Sequence, residues 1–205
     1  MTFFEELTKK PWVEAQAIVD NGEQGSMFPL PTQTLGLRVL LGVITVVFSL
    51  FVIAYSDRML LGDWRPLSEP WLLWINTLIL GLSSYVMHQA VLGARQNDVG
   101  RVKSGLQWAG ITAFAFLAGQ LWAWQQLVAQ GYYAATNPAN AFFYLLTAAH
   151  AIHLLGGLVA WYRTAARVRR AEDVSEAALG VELCAIYWHF LLAIWLVLFS
   201  LLLFT

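Results

Sequence analysis

The residues best able to do chemistry stand in two short strings. His150 and His153 are spaced i and i+3, so they share one side of a helix, and Thr147 extends the polar stripe one turn back. Glu182 and His189 lie seven residues apart, again on one helical face and about 10 Å apart along the axis. Tyr187 and Trp188 stand directly beside that histidine. Imidazole and carboxylate together suit zinc or iron, and histidine–carboxylate chains inside a membrane can relay protons. The same groups can also serve as neutral or paired hydrogen-bonding side chains that lock two helices and contact lipid headgroups or a partner subunit. The chain has only 4 histidines. A metal enzyme would need more ligands at more depths, so the packing reading takes precedence and no metal ligand or catalytic residue is assigned. Glu182 is expected to pair with Arg163, Arg167 or His153.

Other polar residues sit in otherwise apolar surroundings. Asn76, Thr77, Ser83, Ser84 and His88 lie along one apolar run, and Gln107, Gln120, Gln125 and Gln126 along the next. Small and hydroxylated residues at this density let helices approach and hydrogen-bond one another. Gln120 must find a partner, because an unpaired amide in hydrocarbon costs several kcal/mol. The faces bearing Asn76, Ser83, Ser84 and Gln120 are expected to need a second protein to satisfy them all. His88 is expected to be a satisfied interfacial histidine far from the other three.

The elements that must position these groups are membrane helices. Of the 205 residues 59% are hydrophobic and only 12% are charged, about half the charge of a soluble domain. The net charge of −1 argues against nucleic acid as a partner. The single cysteine, Cys184, excludes an internal disulfide and any zinc site built on several thiolates. Trp71, Trp74, Trp122, Trp124 and Trp161 fall at the ends of apolar runs, where amphipathic rings suit the headgroup level.

A bilayer core about 30 Å thick needs about 20 apolar helical residues. Stretches free of charge then predict an all-α integral membrane bundle of five transmembrane helices, over residues 38–56, 71–92, 105–128, 141–162 and 178–204. The third and fourth come from one uncharged stretch between Lys103 and Arg163, broken at Gly131 and Asn137-Pro138. Residues 1–33 contain no apolar core of signal-peptide length. They read as a cytoplasmic surface segment, with a short amphipathic helix from Phe3 to Val19, ahead of a membrane domain over 34–205. Lys9, Lys10, Arg38, Arg95, Arg101, Lys103, Arg163, Arg167, Arg169 and Arg170 fall on one side, against Arg58 and Arg65 on the other. The excess of Lys and Arg places the N-terminus in the cytoplasm and the C-terminus outside.

With these elements in place, FFYLLTAAHAIHLLGG (Phe142 to Gly157) resembles the Thr-x-x-His-x-x-His signature of subunit III of haem–copper oxidases. ELCAIYWHFLLAIW (Glu182 to Trp195) resembles the last helix of the same family. Asn76-Thr77, Ser83-Ser84, the FLAGQ string ending at Gln120, and the loop with Asp98 and Arg101 also fit. The likeness runs from about Leu35 to the end, with the strings in the right order on the right helices. It implies a five-helix bacterial form of the subunit in the cell inner membrane, packed beside subunits I and II. Haem and copper would belong to those partners, and this chain would bind no cofactor beyond phospholipid. His150, His153, Glu182, Tyr187, Trp188 and His189 are carried over by motif match, as structural, lipid or subunit contacts.

Three departures mark a divergent member. The long form of the family has seven helices and a lipid-filled cleft. A buried glutamate usual in the helix matching the first one here is replaced by Ile44. Leu191 and Leu192 stand where an aspartate normally follows Tyr-Trp-His-Phe. The resulting expectation is a non-catalytic subunit III supporting oxygen reduction and proton pumping. Its rivals are the accessory subunit of nitric oxide reductase, a small proton-coupled transporter, and a membrane metalloenzyme.

Overall fold

The computed structural model describes residues 31–65, 71–170 and 175–204. They form five α-helices: α1 Thr32–Arg58, α2 Leu72–Arg95, α3 Val99–Ala129, α4 Pro138–Arg170 and α5 Ser175–Leu203. The expected amphipathic helix from Phe3 to Val19 lies outside the described residues. α1, α2, α4 and α5 are each long and apolar enough to cross a membrane, so the chain is a multi-pass membrane protein. α3 spans 31 residues and covers the expected third helix. Gln107 and Gln120 interrupt its apolar stretch.

Local chemistry sets the helix boundaries. Asn97 adopts a left-handed φ of 55°, a conformation asparagine tolerates better than most residues. It ends α2 while Asp98 N–H reaches back to Gly93 C=O at 2.9 Å. Asp98 then caps α3, its carboxylate accepting from Arg101 N–H at 3.0 Å. α3 stops before Gly131, whose φ of +86° is left-handed. α4 opens at Pro138, the helical position where a missing N–H costs least, after Asn137 accepts from Ala139 N–H.

From Val39 onward the chain forms one compact unit. Within it α2, α3, α4 and α5 make an antiparallel four-helix bundle, in which α2 packs on α3 and α5, and α4 on α3 and α5. α2 and α3 are the tightest pair. A Cβ on Gly105 would fall 2.8 Å from Ala90 Cβ and 3.0 Å from Val86 C=O, so small residues set this approach. The core at the Arg95–Lys103 end is correspondingly fine-grained, with Met87, Ala90, Val102, Ala109, Val181 and Cys184 around Trp188.

α1 is attached more loosely. Its part from Val39 onward meets the bundle through side chains. It meets α4 through ring contacts, Phe48 with His153 at 5.3 Å and Tyr55 with Phe142 at 5.5 Å. Only Ile44, Phe48 and Tyr55 of α1 are buried, while Val39, Val43, Val46, Leu50 and Ile53 are exposed. At its end, Arg58 forms a two-pronged pair with Asp63 at 2.6 Å. The guanidinium's hydrogen bonds hold the Asp63 carboxyl below its ordinary range.

Candidate functional site

The polar side chains singled out in the sequence are used in a seam between α2 and α5. At intervals of about two turns, a residue of α5 is bonded to one of α2. Trp195 Nε1–H donates to Thr77 Oγ1 at 2.9 Å, and Trp188 Nε1–H donates to Ser83 Oγ at 2.9 Å. His189 Nδ1 pairs with Ser84 Oγ, and Arg95 Nε–H donates to Glu182 Oε1 at 3.2 Å. Ser83 is fully buried and hands its own proton to Ala109 C=O of α3 at 3.1 Å. The Trp188–Ser83–Ala109 chain therefore ties three helices. α2 and α3 share one further buried bond, Asn76 Nδ2–H to Gln120 Oε1 at 3.1 Å.

Much of the bonding of Asn76, Ser83, Ser84 and Gln120 is met inside the bundle, without a second protein. Each finds a partner inside the bundle, because the side chains of α2 face α3 and α5 in matching register. Only single atoms of the amides, Asn76 Oδ1 and Gln120 Nε2, are left over.

His150 and His153 are not brought together. Three residues advance a helix by 300°, so the two side chains point about 60° apart, and each follows a different neighbour. His150 is fully buried among rings, edge-on to Phe116 at 5.9 Å and tilted against Trp195 at 5.2 Å. Both its nitrogens lack a protein partner among the described residues. His153 turns toward α1 and Phe48, and its Nδ1–H donates to Ala149 C=O at 2.7 Å, which fixes that tautomer. Its backbone carbonyl accepts from Tyr187 O–H at 2.9 Å. Gly157 makes room for that phenol, since a Cβ there would stand 2.8 Å from Tyr187 Cε1. Thr147 is buried, donates to Phe143 C=O at 2.6 Å and accepts from Trp124 Nε1–H at 3.1 Å.

Two further expectations change. Glu182 pairs with Arg95 of α2 rather than with Arg163, Arg167 or His153, because its face of α5 is the one that carries His189 toward α2. His88 is not remote: its ring lies 6.0 Å from that of His189. Trp124 and Trp161 stand at the ends of apolar runs, yet their indole N–H groups are spent between helices, Trp161 on Leu106 C=O at 2.8 Å. Sequence reasoning missed Trp195 as a seam residue. Its spacing of seven from Trp188, one residue per two turns, was the available signal.

Among the described residues no three His, Cys, Asp or Glu side chains come together. The Arg95–Glu182 pair is 66% and 39% exposed in its side chains, so it fixes register more than it adds stability. Glu182→Gln is expected to lower heat stability by less than about 1 kcal/mol. Exchanging the two charges (Arg95→Glu with Glu182→Arg) should restore what is lost. A charge-exchanged variant no more stable than Glu182→Gln would show that the pair is not what holds α2 to α5 there.

The family model for cytochrome c oxidase subunit III matches residues 61–205. Cytochrome c oxidase subunit 3 of Synechocystis sp. is 34% identical over 165 residues, 76% of this chain and 68% of that protein. The Thermostichus vulcanus protein of that name is 36% identical over 132 residues, 62% and 63% of the two chains. That of Corynebacterium diphtheriae is 26% identical over 156 residues, 74% and 76%. With a family match over most of its length and a relative of this identity and coverage, the chain belongs to the cytochrome c oxidase subunit III family.

Proposed function

We propose that this chain is a non-catalytic subunit of a bacterial haem–copper terminal oxidase. It supports oxygen reduction and proton pumping carried out in subunit I, next to subunit II, and binds phospholipid. Family membership makes it a component of an oxidase complex with other subunits. The observation that carries the non-catalytic part is the use of the polar residues. Thr77, Ser83, Ser84, Glu182, Tyr187, Trp188 and Trp195 are taken up by bonds between helices, and His150 and His153 face different neighbours. Such a bundle is built to hold its shape beside another protein.

The proposed setting is the bacterial inner membrane, with α3 as a fifth span and the N-terminus in the cytoplasm. The length of α3 and its burial of Gln120 against Asn76 support the span. The clustering of Arg95, Arg101, Lys103, Arg169 and Arg170 at one end of the bundle supports the sidedness. Cysteines introduced at Phe204 and at Arg170 test it: a membrane-impermeant label on intact cells should reach the first and not the second.

The subunit reading is tested by purification through a tag on this chain in mild detergent at native expression. Haem absorbance should accompany the chain at a fixed ratio. A stable preparation free of haem would refute it.

A further inference from the structure

The groove between α3 and α4 at the basic end of the bundle is not used by the seam. Its volume is about 460 Å³. One end is polar: Lys103 and Gln107 of α3 and Arg169 of α4 line its mouth, and all three are exposed. Among the described residues Lys103 and Arg169 have no ion-pair partner, the only pairs there being Arg58–Asp63 and Arg95–Glu182. Away from the mouth the walls become apolar, through Ile111 to Phe114, which are 49% and 57% exposed. Eleven residues separate Lys103 from Phe114, about 16 Å of helix. That is roughly half of a 30 Å hydrocarbon core, the depth of one leaflet.

The floor of the groove is built rather than incidental. Trp161 is held by its bond to Leu106 C=O, and its ring lies directly on Gly110, where a Cβ would fall 2.2 Å from the indole. Glycine at that position lets the ring lie flat, and leaves a channel beside it instead of a ridge.

We propose that this groove is a binding site for one anionic glycerophospholipid, with its phosphate held by Lys103 and Arg169 and one acyl chain lying on Trp161 toward Phe114. Two cations and an amide at the rim, above an apolar channel one leaflet deep, match a headgroup of net negative charge. A zwitterionic headgroup would bring a third cation beside these two. Basic pockets between membrane helices bind anionic headgroups on the same electrostatic grounds. The inference rests on the reading of the chain as a phospholipid-binding membrane subunit, and gives that binding a place and a charge preference.

The position of Trp161 supplies the probe. The tagged complex, delipidated in mild detergent, is titrated with brominated-chain phosphatidylglycerol or brominated-chain phosphatidylcholine in mixed micelles, and tryptophan quenching is followed. The wild-type chain should reach half-maximal quenching at a mole fraction of the anionic lipid lower by on the order of ten-fold, from two cations near the surface. Lys103→Gln with Arg169→Gln, both exposed positions, should abolish that preference, and Trp161→Phe should remove the part of the quenching that saturates. Equal quenching by both lipids, or a preference that survives the double substitution, overturns the site. Haem content is read on the same preparations. A chain that shows the preference without carrying haem would overturn the subunit reading and leave the lipid site standing.

Discussion

Trp188→Ala is expected to cost about 3–5 kcal/mol of stability, the range for removing a buried large ring, and to be the most damaging single truncation in the bundle. The indole is 1% exposed and sits at the centre of the fine-grained core, where Ala90, Ala109 and Ala185 leave nothing large enough to close the gap. Its loss also removes a donor to Ser83 Oγ, although the serine keeps its bond to Ala109 C=O. Interhelical bonds in membranes average well under about 1 kcal/mol, so packing dominates over polarity here. Trp188→Phe, which keeps most of the ring and loses the N–H, should fall between Trp188→Ala and wild type. Ser83→Ala, which removes two bonds and one oxygen, should be milder still. The measurement is heat stability of the detergent-extracted complex, followed by release of this chain from the haem-bearing fraction. An order in which Ser83→Ala is the worst of the three would mean that the hydrogen-bonded chain, rather than the ring's volume, holds the helices.

The helices were legible in the sequence for a simple reason: in a bilayer the chain has few options other than helix, and charged residues mark where it must leave. The boundaries at Gly131 and Asn137-Pro138 followed from backbone chemistry in the same way. α3 was legible as a helix because no charge occurs between Lys103 and its end, while its burial against α2 follows from Gly105 and Gly119, whose role depends on what they face. The pairing of the polar groups was harder to read. Spacing placed Glu182 and His189 on one face of α5 and left open which helix that face meets. Adjacent helices in the chain suggested α4, whereas the bundle turns that face to α2, 87 residues away between Arg95 and Glu182. Likewise i,i+3 spacing put His150 and His153 on the same side without showing that Phe116 and Trp195 would take one and Phe48 the other. Register along a helix is a property of the sequence, and the choice of neighbour is a property of packing.

The same distinction makes Gly119 the most sensitive glycine in the bundle. α3 passes α2 there with so little space that a Cβ would stand 2.1 Å from Asn76 Oδ1 and 2.9 Å from Asn76 Cγ. An added methyl must therefore push the amide aside. Asn76 and Gln120 are 1% and 3% exposed, so neither can move to water, and displacing one breaks the bond between them. Overpacking a well-filled core costs about 1–3 kcal/mol, and the broken interhelical bond adds up to about 1–2 kcal/mol. Gly119→Ala is expected to lose roughly 2–4 kcal/mol on those two grounds. Gly81→Ala is the matched control, since nothing lies within 4 Å of the Cβ it would gain. Helix propensity there favours alanine by up to about 1 kcal/mol, so that variant should be as stable as wild type or slightly more. Combining Gly119→Ala with Asn76→Ala removes the colliding side chain and should cost less than the two single substitutions added together, as contacting residues do. Equal melting of Gly119→Ala and Gly81→Ala, or strict additivity in the double variant, would show that Asn76 does not pack on α3 at this point, and that Gln120 must be satisfied by a different group.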